Sequence, residues 1–170
     1  RAVNPPEGMG RVASNLRPEL DKPYLVAVTV EQTDDGKGKA GFFLQPLDKK
    51  YGKLESAEVV FRSASGISAE IPVVLGGRHK QSRHQWDGQL DQIALFSKWM
   101  KTETIESLFA DGLSSAAVKQ QSPVVAWDFD NKQNRVADAS AHGHDLSMTA
   151  GLPVSPLENA VTELCHVLLN

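Results

Sequence analysis

Between Tyr24 and Val30 the run YLVAVTV is β-branched and aromatic, with apolar residues on both alternating sets, the pattern of a strand covered on both faces. Asp34, Asp35, Gly36, Lys37 and Gly38 interrupt it with turn chemistry, and the apolar run resumes from Ala40 to Gln45 (AGFFLQ), which predicts a hairpin. Pro46 and the charged stretch from Asp48 to Lys53 end the second strand. Ala57 to Phe61 and Ala69 to Leu75 are further strand-like runs, separated by Ser63, Ser65 and Gly66. Pro72 has no N–H to give to a ladder, which puts the later of the two at a sheet edge or makes it irregular. A short candidate strand around Met9 to Ala13 precedes them all. Strands this short and this closely spaced predict an all-β sandwich or barrel rather than alternating βαβ units.

The second half continues in the same style. Gly88 to Phe96 (GQLDQIALF) predicts another strand. A helix follows near residues 102 to 111, with Thr102 as its cap and Glu103 and Glu106 at its positive end. Ile105, Leu108 and Phe109 form its apolar stripe, and Gly112 terminates it. Val124 to Phe129 (VVAWDF) predicts a strand with Val125, Trp127 and Phe129 on one face, and after the polar loop Asp130 to His144 a last short strand is placed at Asp145 to Thr149. Ser155, Pro156 and Glu158 mark a helix start, and Leu157, Val161, Leu164 and Leu168 line one face of that C-terminal helix. The expected architecture is therefore all-β, an antiparallel β-sandwich over residues 1–150 with one short helix. The C-terminal helix over 151–170 packs on the sandwich or ends a neighbouring domain. The start at Arg1, with no Met and no signal-type stretch, leads to the expectation that the chain is a piece of a longer one.

Composition narrows the class without naming a chemistry. The 170 residues are 41% hydrophobic and 23% charged, the balance of an ordinary globular protein with one core. The 18 Lys+Arg against 21 Asp+Glu leave a net charge of -3, which argues against a nucleic-acid partner. The single cysteine, Cys165, excludes an internal disulfide. No apolar run approaches the ~18 residues of a membrane span, so no membrane insertion is expected.

Two segments carry a family likeness. Trp86 to Phe96, WDGQLDQIALF, followed by a Thr/Glu-rich helix, resembles the closing strand of laminin-G-like jelly rolls of the concanavalin A type. Val125 to Asp145, VAWDFDNKQNRVADASAHGHD, resembles the same family's opening strand with its Asp-x-Ser turn and Gly-His. Together they cover about a fifth of the chain. Their order is reversed relative to the family, since Asp138 follows Asp87, so the resemblance implies either a permuted or trimmed sandwich or a strand belonging to a neighbouring domain. The C-terminal string PLENAVTELCHVLLN resembles the end of a domain of unknown function in large bacterial proteins that also carry a cytochrome-c-like module. That likeness implies an exported parent, periplasmic or associated with the cell envelope. The fold resemblance implies a non-catalytic recognition or spacer module that binds carbohydrate or protein beside the neighbouring domains of its parent.

The candidate chemistry is sparse. Arg78, His79, Lys80, Arg83, His84 and Trp86 form the densest basic patch, where Arg78, His79, Arg83, His84 and the Trp86 ring could hold an acidic sugar; the plainer reading of these residues is an ordinary solvated loop, since isolated surface charges are the norm. Asp128, Asp130, Asn131, Asn134 and Asp138 make an oxygen-rich stretch. Members of the resembled family often bind calcium, so Asp128, Asp130 and Asp138 are its candidate ligands, although turns use the same residue types. His142, His144 and Asp145 are too tightly bunched for the paired spacing of a zinc site. Asp87 and Asp91 are four apart on a candidate strand and so share a face, but the Glu-x-Asp-x-x-Glu string of concanavalin-type hydrolases is absent. The expectation is no enzyme, with a glycoside hydrolase as the alternative. Ser63, Ser65 and Ser68 read as turn residues. Cys165 and His166 are helix neighbours that do not face each other.

Overall fold

The computed structural model describes residues 12–32, 37–47, 52–62, 73–77 and 88–147. Among these the regular structure is mostly strand, arranged in antiparallel sheets with few helices. The expected strand at 9–13 and the C-terminal helix fall wholly or mostly outside the described residues. Of the expected strand at 69–75, Val73 to Leu75 are described and belong to no strand, nor do the described residues 145–147 of the last expected strand. No described helix is long and apolar enough to cross a membrane. The chain divides into two compact units.

The first unit holds the hairpin. Strands β1 (Tyr24–Gln32), β2 (Lys37–Pro46) and β3 (Glu55–Arg62) form a meander in the order β1-β2-β3, with Ala27 opposite Phe43 and Ala40 opposite Val59. The Leu47 N–H donates to the Pro23 carbonyl at 2.9 Å and closes the open end of the hairpin. On one face Leu25, Thr29 and Phe43 are buried. Gly41 lies opposite Thr29, and a Cβ there would come within 2.7 Å of the Thr29 hydroxyl. That hydroxyl is buried and has no hydrogen-bond partner among the described residues. On the other face Phe61 of β3 lies over its cross-strand partner Gly38, filling the space a side chain would need.

The expectation that β1 is covered on both faces is corrected here: Val26 is 60% and Val28 is 36% exposed, while Leu25 and Thr29, on the alternate set, are buried. β1 is an edge of the three-stranded sheet, and β-branched residues favour extended backbone whether or not their face is covered. Helix α1 (Thr102–Ala110) belongs to this unit, and its expected stripe of Ile105, Leu108 and Phe109 is buried, as is Met100. The cap position is the extended Lys101, which makes no side-chain cap, so Thr102 is the first helical residue rather than the cap. Gly112 ends the helix as expected. It sits at φ 62, its N–H donates to the Phe109 carbonyl at 3.0 Å, and the Leu113 N–H reaches the Leu108 carbonyl at 2.9 Å.

The second unit pairs β4 (Ile93–Leu95) with β5 (Val125–Trp127), Ile93 opposite Trp127 and Leu95 opposite Val125. Both strands are shorter than the apolar runs suggest. Gln92 at φ 53 directly precedes β4 and Phe129 at φ 55 lies two positions beyond the end of β5, both in left-handed backbone unlike that of a strand. Ile93, Val125 and Trp127 form the core of this unit, with Leu75, Leu90, Leu95, Phe129 and Leu146 packed against it. A second helix, α2 (Ser115–Gln120), was not expected. Ser114 caps it by accepting the Ala117 N–H at 3.4 Å, and Val118 is its buried residue.

Candidate functional site

The polar loop that leaves β5 is built around one carboxylate. Asp138 Oδ1 accepts the N–H of Ala126 at 3.1 Å and of Ser140 at 2.8 Å, and Oδ2 accepts the N–H of His144 at 3.0 Å. The Asp138 N–H in turn donates to Asp145 Oδ1 at 2.8 Å. Main-chain bonds run parallel to these: Ala139 N–H to the Ala126 carbonyl at 2.6 Å and Leu146 N–H to the Val136 carbonyl at 2.8 Å. Trp127 joins the network from the core, its ring N–H donating to the His144 carbonyl at 3.0 Å. Burial by itself would raise the Asp138 carboxyl. The Ser140 hydroxyl and the N–H groups of Ala126, His144 and Ser140 outweigh it and hold the group well below the usual carboxylate range.

Ser140, His142 and Asp138 put the three residue types of a nucleophilic triad within hydrogen-bonding reach, but the connections run differently. His142 Nδ1 lies 3.0 Å from Ser140 Oγ and 3.1 Å from the Val124 carbonyl. A carbonyl only accepts, so Nδ1 carries the hydrogen and shares it between the two oxygens. That nitrogen therefore has no lone pair with which to take the Ser140 proton, and the Asp138 carboxylate faces Ser140 instead of the imidazole. Ser140 Oγ also accepts the His142 N–H at 3.4 Å and approaches the Val124 carbonyl at 3.4 Å. The arrangement pins the 138–144 turn onto β5.

The oxygen-rich stretch before it is engaged in the same way. Asp128 Oδ1 accepts the Asp130 N–H at 3.3 Å, and Oδ2 accepts the Ser115 hydroxyl at 3.4 Å. Asn131 Oδ1 accepts the N–H of Gln133 at 3.0 Å and of Asn134 at 3.1 Å, and Asn134 Oδ1 accepts the Val136 N–H at 3.3 Å. These are Asx turns in series. Of the expected calcium ligands, Asp128 and Asp130 are brought into one electrostatic neighbourhood with Asp91, whereas Asp138 is held at the base of the loop. The Asp91 carboxyl is raised by its burial and then by the charge of Asp130, a hydrogen bond from the Gln92 backbone opposes the rise, and Asp128 adds to it. Among the described residues no group of three or more His, Cys, Asp or Glu is arranged to hold a metal ion. Asp91 precedes β4 and is separated from it by the left-handed Gln92, so strand alternation does not fix its side.

Arg78, His79, Arg83, His84 and Trp86, with Asp87, lie outside the described residues, as do Ser63, Ser65, Ser68, Cys165 and His166. The structure adds a cluster that sequence reasoning missed. In the first unit Lys39 Nζ stands 5.9 Å over the ring of Trp99, which is 39% exposed, and pairs with Glu58 at 2.6 Å. Lys39 and Glu58 belong to adjacent strands and Trp99 lies far along the chain, so no local spacing announces them. The Asp-x-Ser spacing at 138–140 did signal a turn; its fourfold bonding becomes visible only once β5 and His144 are in place.

Comparison of the chain with protein-family models, with curated proteins and with solved structures finds no match in any of the three.

Proposed function

We propose that the chain is a non-catalytic recognition or spacer module, binding carbohydrate or protein within a larger exported bacterial protein, on an antiparallel sandwich of the concanavalin A, laminin-G-like type. The observation that carries the reading is the use of Asp138. The acidic residue of the family-like Asp-x-Ser segment is engaged by three backbone N–H groups and organises a loop, the role a rigid scaffold gives to residues that shape a binding edge. The antiparallel sheets agree with such a fold, and the likeness at 86–96 and 125–145 supports the family. Ligand contact is assigned on sequence grounds to Arg78, His79, Arg83, His84 and Trp86. The calcium candidates are Asp128 and Asp130, with Asp138 taken up by the backbone N–H groups of Ala126, Ser140 and His144.

The test is a glycan array probed with the protein and with Trp86→Ala, each with and without calcium. Retention of an acidic or neutral glycan by the unsubstituted protein and its loss in Trp86→Ala is the expected result. No retained glycan under either condition, together with unchanged partner binding by Trp86→Ala in the parent protein, leaves the spacer role and removes recognition.

One observation favours a second reading, a glycoside hydrolase. The Asp91 carboxyl is raised by its burial and by the neighbouring Asp130 and Asp128, and a carboxyl raised in the company of other carboxyls is the electrostatic pattern from which a general acid and its partner are built. Polysaccharide turnover that is abolished by Asp91→Asn would establish it and overturn the non-catalytic reading.

A further inference from the structure

We draw no further inference here: the strongest candidate, the apolar face of the three-stranded sheet on which Val26 and Val28 are exposed, carries none because nothing in the structure shows what covers it.

Discussion

Replacing Asp138 isolates the contribution of a single carboxylate to the loop after β5. In Asp138→Ala the N–H groups of Ala126, Ser140 and His144 lose their acceptor together. A hydrogen bond to a charged group contributes about 1.5–3 kcal/mol, but only where water cannot take its place. His144 is exposed and Ser140 is half-buried, so their N–H groups can be re-solvated at small net loss, whereas Ala126 is 7% exposed and its donor is left orphaned. The loss expected for Asp138→Ala is therefore about 2–4 kcal/mol, well short of three full bonds. Asp138→Asn keeps an Oδ1 acceptor for Ala126 and Ser140 and turns an amide toward the His144 N–H, for a loss of about 1–2 kcal/mol.

Urea denaturation followed by tryptophan fluorescence reads both variants, because Trp127 is hydrogen-bonded into the same network. The pH dependence supplies a separate check. The folded carboxyl is held below its unfolded value of about 3.9, so the unfolded chain binds the proton first. The Asp138 contribution is complete above that value and is lost as pH falls from about 4 toward the lower folded value. Asp138→Asn, with no proton to bind, should show a flatter decline over that range. A variant within about 0.5 kcal/mol of the unsubstituted protein at neutral pH, with a parallel acid limb, would refute the reasoning.

The buried, unpartnered hydroxyl of Thr29 predicts that the near-isosteric Thr29→Val raises stability by about 1 kcal/mol in the same urea assay; a loss would show that the hydroxyl is satisfied in solution. Gly38→Ala should cost about 1–3 kcal/mol by driving the Phe61 ring off the strand, and the double variant Gly38→Ala/Phe61→Ala should cost less than the two single losses added; strict additivity contradicts the clash. Asp91→Asn removes one of three neighbouring negative charges. Because the folded carboxyl is raised, native stability falls as pH rises through that value, so the variant should be slightly more stable at neutral pH, by under about 1 kcal/mol, and the gain should shrink as salt is added. A thermal melt at two ionic strengths decides it, with a salt-independent loss as the contrary result.

Legibility tracked how local each signal is. The β1–β2 hairpin needed only YLVAVTV, a turn and AGFFLQ, and the α1 stripe needed only Ile105, Leu108 and Phe109 at helical spacing, so both were readable in advance. The outward Val26 and Val28 were not, because a β-branched residue reports the strand but not which of its faces is covered. β4 was read as too long because nothing in GQLDQIALF reveals that Gln92 takes a left-handed conformation. Nothing in SAAVKQ announces α2, because one turn and a half with a single buried Val118 has no period to detect. Asp138 was seen as part of a turn and as a metal ligand; that its carboxylate is used by backbone donors depends on β5 and His144, which meet it only through the fold. Asp128 and Asp130 are neighbours in sequence, while the approach of Asp91, thirty-odd positions earlier and just before β4, has no sequence signal.

The two sheets differ in how far along the chain their partners lie. In the meander β1 pairs with β2 and β2 with β3, and the innermost β1–β2 pair, Gln32 with Gly38, closes a short loop. β4 and β5 can meet only after the chain has passed through both helices, bringing Leu95 to Val125. Closing the longer loop costs more chain entropy before any contact rewards it. The meander is thus the region best able to nucleate during folding, and the β4–β5 pair, with the Asp138 loop that depends on it, consolidates later.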